Sequence, residues 1–560
     1  MTHSFDWRAG YPSQRLPIFG RNIVATSHPL AAQAGQRMLM RGGNAVDAAI
    51  ATAAAMTIVE PVSNGLGSDA FCILWDGERL HGLNASGRAP RAWTVEWFRR
   101  RHGDAATTPP QRGWDSVTVP GAVAGWVALS ERFGRLPFAD LMQPAIEIAE
   151  RGYAVPVVVQ QKWAAAAATE LARQPGFAET FLPRGRAPEI GERFAFAAAA
   201  RTLKRVAETR GEAYYRGEIA EAVARHAREH GAALAAEDFA AFAPEWVEPL
   251  AKDYRGHTLH EIPPNGQGIA AQIALGILAN FDLASLPPDG VESQHLQIEA
   301  MKLAFADTYR YVAEPSSMEV TAAQMLDDAY LASRAQLIDR RRAQDFGAGN
   351  PAKGGTIYLT TADERGMMVS FIQSNYMGFG SGVVVPGWGL SLQNRGHGFS
   401  LDPKSANVVA PGKRPFHTII PAFLSRPQAT RRLPEGGPKP PSQAEGGIAP
   451  VMSFGVMGGN MQPQGHVQAL VRMLDGRQNP QAACDAPRWR FDAGLALNVE
   501  ASMDPATVQG LAALGHRLEV IEDSYQDFGA GQFIWRLGEP ATEGYAAASD
   551  PRRDGQATAS

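Results

Sequence analysis

The stretch GGTIYLTTADERGMMVSFIQSNY, residues 354–376, decides the fold. Apolar and polar residues alternate in TIYLTTAD and again in MMVSFIQS, which is the period-two pattern of half-buried β-strands. The tripeptide ERG at 364–366 lies between the two runs, so the segment is predicted to form an antiparallel hairpin. Centring its turn at residues 364–365 places Thr356 opposite Gln373 and makes Ser374 an immediate neighbour of Thr356.

Thr356 is a candidate nucleophile because two glycines precede it at the head of the first strand. A threonine hydroxyl attacks a carbonyl poorly unless a base lies within hydrogen-bond reach. If the peptide bond between Gly355 and Thr356 is cut, the freed α-amino group has an unperturbed pKa of about 7.7 to 8.0 and can accept the hydroxyl proton near neutral pH. The glycines also permit backbone strain that a β-branched residue resists. By itself, the pattern is a weak signal, because a plain junction between a loop and a strand is its usual explanation.

The composition is that of an ordinary globular protein, with 560 residues of which 45% are hydrophobic and 20% charged. A formal net charge of -4 gives no excess of positive charge that would indicate binding to nucleic acid or to an acidic membrane surface, so a small molecule is the expected partner. No run of about 18 apolar residues predicts a membrane span. Cys72 and Cys484 indicate neither a disulfide framework nor a zinc pair. The N-terminus MTHSFDWRAGYPSQRLPIFG lacks the pattern of a secretory signal, so the cytoplasm is the expected location.

Helices are predicted to dominate residues 1–355 and strands residues 356–560. Asn44 is expected to cap a helix through AVDAAIATAAAMTI, and DAFCILW at 69–75 has the pattern of an apolar strand. Residues 426–447 are rich in Pro, Gly and charge and are predicted to form a flexible loop between two strands. The predicted fold class is α+β, with sheet packed between helical layers.

Seven segments together resemble the γ-glutamyltransferase family across nearly the whole chain. They are RGGNAVDAAIATAAAMTIVEPVSNGLG at 41–67, VPGAVAGW at 119–126, PPNGQG at 263–268, GGT at 354–356, PGKRP at 411–415, MGG at 457–459 and ASDPRRDG at 548–555.

This resemblance implies the four-layer αββα fold of the N-terminal nucleophile hydrolases. It also implies self-cleavage between Gly355 and Thr356 into a large subunit, 1–355, and a small subunit, 356–560, which form a heterodimer that could pair again. Acyl transfer is then expected to pass through an ester on Thr356, with the backbone N–H groups of Gly458 and Gly459 binding the oxyanion. Neither a metal nor an organic cofactor is expected.

The departures from the family pattern concern recognition of the acyl group. A γ-glutamyl head group requires a cation against its α-carboxylate and an acid against its α-ammonium. The position of the family's arginine holds Ser86 here, with Arg88 two residues further on, and the family's acid is replaced by Gly398. Arg395 stands in place of a glutamine, so a carboxylate without an α-ammonium is the expected feature of the acyl group, held by Arg395 or Arg88.

Further departures change the surroundings of the nucleophile. His417-Thr418 replaces a serine pair, Ser374-Asn375-Tyr376 replaces Thr-x-Asn, and Tyr358 replaces a histidine. The predicted catalytic residues are Thr356, Ser374, Gly458 and Gly459, and the predicted substrate-binding residues are Ser86, Arg88, Asn375, Tyr376, Arg395, His417 and Thr418.

The first functional prediction is hydrolysis or transfer of an acyl group from a γ-glutamyl amide of the glutathione type. The second is an amidohydrolase or acylase for a small carboxylated amide, such as oxamate or a glutaryl or cephalosporin side chain. An uncleaved binding protein on the same fold is the alternative from another class. The histidines, including His257, His260 and His295, show no metal-ligand spacing and are predicted to be structural.

Overall fold

The structure is a computed structural model that describes residues 15–347, 355–428, 447–523 and 527–560. Within these ranges the strands are β1 (Ile18–Gly20), β2 (Ile23–Thr26), β3 (Asp69–Trp75), β4 (Leu80–Ala85), β5 (Tyr153–Ala154), β6 (Arg193–Phe194), β7 (Glu245–Val247), β8 (Leu250–Tyr254), β9 (His257–Glu261), β10 (Gly355–Ala362), β11 (Met368–Tyr376), β12 (Val384–Val385), β13 (Leu390–Ser391), β14 (Ala422–Pro427), β15 (Ile448–Met457), β16 (Trp489–Ala493), β17 (Ala496–Glu500), β18 (Arg517–Ile521), β19 (Ala530–Arg536), β20 (Tyr545–Ser549) and β21 (Gln556–Ala559).

The α-helices in the same ranges are α1 (Pro29–Met40), α2 (Ala45–Val59), α3 (Val95–His102), α4 (Ala122–Phe133), α5 (Phe138–Arg151), α6 (Val157–Ala167), α7 (Phe177–Phe181), α8 (Ala197–Thr209), α9 (Glu212–Tyr215), α10 (Glu218–Glu229), α11 (Ala236–Ala240), α12 (Ile269–Leu278), α13 (Val291–Tyr311), α14 (Ala322–Met325), α15 (Asp328–Ala335), α16 (Met461–Leu474), α17 (Pro480–Asp485) and α18 (Pro505–Ala513).

Two antiparallel sheets form the centre of the molecule. Sheet I has the strand order β1-β20-β19-β15-β14-β9-β8, and sheet II has the order β21-β2-β10-β11-β3-β4-β7. Helices α1, α2 and α4 pack on the outer face of sheet II, while α12 and α16 pack on the outer face of sheet I, with α13 against α12. This is the predicted four-layer αββα arrangement, so the predicted fold class is confirmed.

The side chains of β10 alternate between two hydrophobic cores, one under the helices that cover sheet II and one between the two sheets. Ile357 and Leu359 point toward the helices that cover sheet II, whereas Tyr358 and Ala362 lie in the core between the sheets. Successive side chains of a strand point to opposite faces, so a strand buried on both faces needs apolar residues at both parities.

The two predicted subunits are not separate folding units. Sheet II takes β10, β11 and β21 from the part after Gly355 and β2, β3, β4 and β7 from the part before it. Sheet I is mixed in the same way, because β8 and β9 lie beside β14. A cut before Thr356 would therefore leave two chains that share both central sheets.

Several local predictions are confirmed. Asn44 caps α2 in a reciprocal capping box with Asp47, and β3 spans the predicted residues 69–75. The predicted loop 426–447 begins within β14, whose last residue is Pro427, and its residues 429–446 lie outside the described residues, as does Gly354.

The predicted hairpin is present, but its predicted register is wrong by one residue. Gln373 pairs with Ile357 instead of Thr356, and the register shifts between Gly355 and Ile357, because Gly355 pairs with Tyr376. This irregularity is a β-bulge, a feature that re-aims side chains at the end of a strand. The alternating pattern identified the strands, but the turn determines the register from Ile357 onward, and the bulge shifts it once more at Gly355.

In the described residues, no helix combines the length and the apolar character that crossing a membrane requires.

Candidate active site

The candidate nucleophile lies at the bulge where β10 begins. Thr356 has the parity of Tyr358, so its side chain faces the space between the two sheets, and the residue is only 3% exposed. Its Oγ1 donates to Ser374 Oγ over 3.2 Å. Gln462 Nε2, from the first turn of α16, approaches Thr356 Oγ1 to 3.5 Å. The predicted neighbourhood of Thr356 and Ser374 thus exists, despite the different register.

Four side chains of the same parity form a row at this end of sheet II. Ser374 is the neighbour of Thr356, Asp69 is the cross-strand partner of Ser374, and Ser86 directly follows β4 beside Asp69. Strands lie about 4.8 Å apart, so Asp69 is two strand spacings, about 10 Å, from the nucleophile. All four residues are buried between the sheets, which makes the row the wall of one site.

Tyr376 ends β11 in a conformation that a bulky residue rarely adopts, with φ of 78°. Its backbone N–H donates to Ser374 Oγ over 2.7 Å, which stabilises the turn away from the strand. The ring then lies against the guanidinium of Arg395, with 4.7 Å between the Arg395 Cζ atom and the ring centroid. Left-handed backbone at a non-glycine residue is typical of functional sites, where surrounding contacts hold the strain.

Arg395 is a buried cation with an open pair of donors. It is 1% exposed, and its Nη1 donates to Thr418 Oγ1 over 2.8 Å. Its Nε and Nη2 are also buried, and neither has a hydrogen-bond partner in the described part of the chain. Burial lowers the pKa of Arg395 to about 10, against the opposing field of Asp69, so it stays cationic at neutral pH. Nε and Nη2 form the side of the guanidinium that binds a carboxylate through two parallel N–H groups.

Asp69 is a site residue that the sequence reasoning missed. Its Oδ1 accepts from the Gly121 backbone N–H over 3.2 Å, and its Oδ2 lies 3.2 Å from His417 Nε2. Burial raises the pKa of Asp69 to about 6, although Arg395 and backbone donors favour its charged form. The available signal was an acid at the first position of the otherwise apolar strand DAFCILW, with the parity of Phe71 and Ile73, which face sheet I.

His417 is buried and neutral. Burial lowers its pKa well below the usual value, and the charges of Arg395 and Arg414 act in the same direction. Its Nδ1 accepts from the Ile419 backbone N–H over 3.4 Å, which leaves the proton on Nε2, the atom that faces Asp69. The imidazole therefore donates to the carboxylate and does not serve as a second cation in the site.

Gly458 and Gly459 form the turn between β15 and α16. Both adopt positive φ, 125° and 60°, which favours glycine at these positions. The Gly458 carbonyl accepts from Met461 N–H over 3.1 Å, and the Gly459 carbonyl accepts from Gln462 N–H over 3.2 Å. Among the described residues, no acceptor is hydrogen-bonded to the amide of either glycine. The turn thus presents two free backbone donors near the Gln462 side chain that approaches Thr356.

Two predicted substrate-binding residues are engaged by the protein itself. Ser86 donates to Asn84 Oδ1 over 2.7 Å and accepts from Asn265 Nδ2 over 3.2 Å. Asn375 donates to Ser391 Oγ and accepts from Ser68 Oγ, both over 2.8 Å. These contacts fix the loops around the row, and a direct role in binding substrate stays a prediction for both residues.

Arg88 lies in an ion-pair network and is about one-third exposed, unlike the buried Arg395. Its Nη1 is 2.8 Å from Glu314 and its Nη2 is 2.7 Å from Glu245. A substrate carboxylate would have to compete with these two carboxylates. The geometry therefore favours Arg395 over Arg88 as the carboxylate ligand.

One cluster of the metal-ligand type occurs among the described residues, distant in sequence from Thr356. The ligand atoms of His295, Glu299 and His516 all lie within 4.8 Å of one another. Sequence spacing could not show it, because His516 follows more than 200 residues later. Lys302 Nζ lies 2.7 Å from Glu299 Oε1, so the carboxylate already has a cation. The cluster is an internal ion pair beside two hydrogen-bonded imidazoles.

Comparison with known proteins agrees with this geometry. The model of the gamma-glutamyltranspeptidase family matches residues 31–560. The chain belongs to this family. It is 35% identical over 546 residues to the glutathione hydrolase-like YwrD proenzyme of Bacillus subtilis, covering 96% of this chain and 98% of that protein. It is also 35% identical to the oxamate amidohydrolase proenzyme of Klebsiella pneumoniae, with 96% and 98% covered.

Among solved structures, cephalosporin acylase from Bacillus halodurans superposes with a TM-score of 0.90 at 46% identity, covering 99% of both chains. The resemblance deduced from the sequence is therefore confirmed, and the chain is an enzyme of the N-terminal nucleophile hydrolase type that acts on amides. The binding-protein alternative is set aside on the same ground. The relatives differ in the substrates they are named for, so family membership alone does not choose the acyl group.

Proposed function

We propose that the chain is made as a proenzyme, is cut between Gly355 and Thr356, and then hydrolyses or transfers the acyl group of a small amide whose acyl group carries a carboxylate. The observation that carries this proposal is the buried Arg395 fork, whose Nε and Nη2 have no partner among the described residues. A hydrogen bond to a charged group contributes about 1.5 to 3 kcal/mol, so a ligand that pairs with both donors gains binding energy that an uncharged acyl chain does not. A substrate carboxylate supplies the matching acceptors.

In the proposed mechanism, the Thr356 α-amine takes the proton of its own hydroxyl, and Oγ1 attacks the amide carbonyl. The negative oxygen of the tetrahedral intermediate accepts hydrogen bonds from the amides of Gly458 and Gly459. The C–N bond breaks as the amine product takes the proton, which leaves an ester on Thr356. Water, or an acceptor amine, then attacks the ester carbonyl; the C–O bond to Thr356 Oγ1 breaks, the acyl group leaves as an acid or a new amide, and Oγ1 takes back a proton.

Ser374 and Gln462 are proposed to orient the nucleophile, since both approach Thr356 Oγ1. The Arg395 fork would hold the far end of the acyl chain while Tyr376 covers the face of the guanidinium. Thr418 keeps the guanidinium in place through Nη1. The acyl chain is then fixed at both ends, which reduces the entropy lost on reaching the transition state.

A γ-glutamyl amide is the second candidate, and Asp69 favours it. A γ-glutamyl group is a glutaryl group with an α-ammonium beside the carboxylate. Asp69 is a buried carboxylate close enough to Arg395 for the two groups to shift each other's pKa. The site therefore contains both the cation and the acid that an amino acid head group requires. The acid that is missing at Gly398 would then be supplied from β3.

A panel of four anilides tests these proposals: glutaryl, γ-glutamyl, pentanoyl and acetyl. Pentanoyl has the chain length of glutaryl without the carboxylate, and acetyl has neither length nor charge. We expect kcat/KM for glutaryl or γ-glutamyl anilide to exceed that for pentanoyl anilide by about 100-fold, the value of two charge-assisted hydrogen bonds. Equal rates for glutaryl and pentanoyl anilides would contradict the carboxylate assignment, and the ratio of glutaryl to γ-glutamyl rates decides between the two candidates.

A further inference from the structure

The segment PPNGQG at 263–268 joins β9 to α12 and reaches the active site through one side chain. Gln267 is fully buried, and its backbone N–H donates to the His417 carbonyl over 2.9 Å. In return, the His417 N–H donates to the Asn265 carbonyl over 2.9 Å. The backbone at Gln267 is therefore fixed against the segment that carries His417 and Thr418.

The side-chain amide of Gln267 links two parts of the site. Its Nε2 donates to the Thr418 carbonyl over 2.7 Å and to the Gly459 carbonyl over 3.0 Å. Two carbonyl acceptors require the amino group at this position, which fixes the orientation of the amide. Gln267 Oε1 is buried and has no partner in the described part of the chain, so both hydrogen bonds of this side chain are donated by Nε2.

The contact at Gly459 matters because glycine has the greatest backbone freedom of any residue. The Gly459 carbonyl accepts from Gln462 N–H as well as from Gln267, while the Gly458 carbonyl is held by Met461 N–H. The peptide planes on both sides of Gly459 are thus held, which fixes the direction of its N–H. The contact at Thr418 acts on the other end, because Thr418 Oγ1 accepts from Arg395 Nη1.

We propose that Gln267 is a positioning residue that holds the Gly458–Gly459 turn and the Arg395 anchor in one fixed relative geometry. This inference rests on the proposed function, in which the turn binds the oxyanion and Arg395 binds the carboxylate. Loss of the Gln267 donors then affects two steps differently. A displaced Gly458–Gly459 turn stabilises the oxyanion less well, so kcat should fall for every amide. A displaced Thr418 holds Arg395 less well, so KM should rise only for substrates that carry a carboxylate.

Gln267→Leu and Gln267→Glu test the proposal in processed two-chain enzyme, with glutaryl and pentanoyl anilides. Leu removes both donors, and Glu keeps the shape but, even as a neutral acid, offers a single O–H to two carbonyl oxygens. For both variants we expect kcat to fall about 10- to 100-fold on both anilides, the cost of misplacing reacting groups by up to about 1 Å. KM should rise about 2- to 10-fold for the glutaryl anilide alone, the value of one hydrogen bond.

Gln272→Leu is the matched control. Gln272 is equally buried on α12, its Nε2 donates to the Leu259 carbonyl over 3.0 Å, and its Oε1 also lacks a partner among the described residues. This variant removes the same kind of buried contact without touching the site, so its kcat and KM should stay within about twofold of the wild type. An equal loss in Gln272→Leu, or a wild-type kcat in Gln267→Glu, overturns the inference.

A readout without turnover separates this inference from the proposed function. Hydrogen exchange of the peptide around Gly459 and Asn460 should accelerate in Gln267→Leu and stay unchanged in Gln272→Leu. Unchanged exchange in Gln267→Leu refutes the positioning role whatever the substrate is. A wild type that turns over none of the anilides, but whose Gly459 exchange responds to Gln267→Leu, refutes the proposed function and with it the kinetic part of the inference.

Discussion

Replacing Arg395 by methionine should convert a carboxylate-selective enzyme into an unselective one. Methionine keeps most of the volume of the arginine stem but removes Nε and Nη2, the two donors without a partner among the described residues. A hydrogen bond to a charged group contributes about 1.5 to 3 kcal/mol, so two of them contribute about 3 to 6 kcal/mol. Since about 1.4 kcal/mol corresponds to tenfold, kcat/KM for glutaryl anilide should fall by about 100-fold or more.

The same change should leave the pentanoyl anilide nearly unaffected, because that substrate has no group for the fork to bind. Loss of the Arg395 charge raises the pKa of Asp69 further above its present value of about 6, so the carboxyl becomes neutral. A neutral carboxyl costs much less to bury than a charged one, so the variant should lose little folding stability from Asp69. The folded state should therefore survive, which a melting curve and the presence of two chains on a denaturing gel can verify.

Steady-state kinetics on both anilides provide the assay, with Arg88→Met as the matched control. Arg88 is paired with Glu245 and Glu314, so its loss should preserve the preference for the carboxylated substrate. A parallel loss on glutaryl and pentanoyl anilides in Arg395→Met would indicate general damage to the site and would refute the reasoning. If Arg88→Met lost the preference instead, Arg88 and not Arg395 would be the residue that binds the carboxylate.

Three further outcomes are expected. Thr356→Ala should remain a single 560-residue chain on a denaturing gel, whereas the wild type should give chains of 355 and 205 residues; a cut variant would place the cleavage elsewhere. Burial raises the pKa of Asp69 from 3.8 to about 6, so the folded state binds this proton more tightly than the unfolded state. The unfolding free energy of the wild type relative to Asp69→Asn should therefore fall by about 2 kcal/mol as the pH rises from about 4 to about 7, and a pH-independent difference would contradict this. Burial also raises the pKa of Glu261 well above its usual value, and its Oε1 lies 2.8 Å from His466 Nδ1. Glu261→Gln should be tolerated, whereas Glu261→Leu leaves that imidazole without its partner and should cost about 1 to 3 kcal/mol in a denaturation experiment; equal stabilities would show that the contact is not formed.

The sequence by itself determined the fold class, the strand pair β10–β11 and the identity of Thr356 as the candidate nucleophile. These features depend on alternation along a strand and the Asn44 cap, and for Thr356 on the resemblance of seven segments to a known family, since a glycine pair before a threonine is a weak signal alone. Cleavage before Thr356 would create a new N-terminus, and its chemistry can be predicted from the threonine alone. An N-terminal threonine carries its own base, the α-amino group.

Only the tertiary structure decided which charged groups meet around that nucleophile. Asp69 and His417 are 348 positions apart, and Gln267 and Gly459 are 192 positions apart, so no spacing rule connects them. The sequence offered Arg88 and Arg395 as equal cations, and burial separated them: one is paired with two carboxylates, while the other keeps an open fork between the sheets. The energy of a charge depends on its solvent exposure and its partners, and both are properties of the packed layers and not of the chain order.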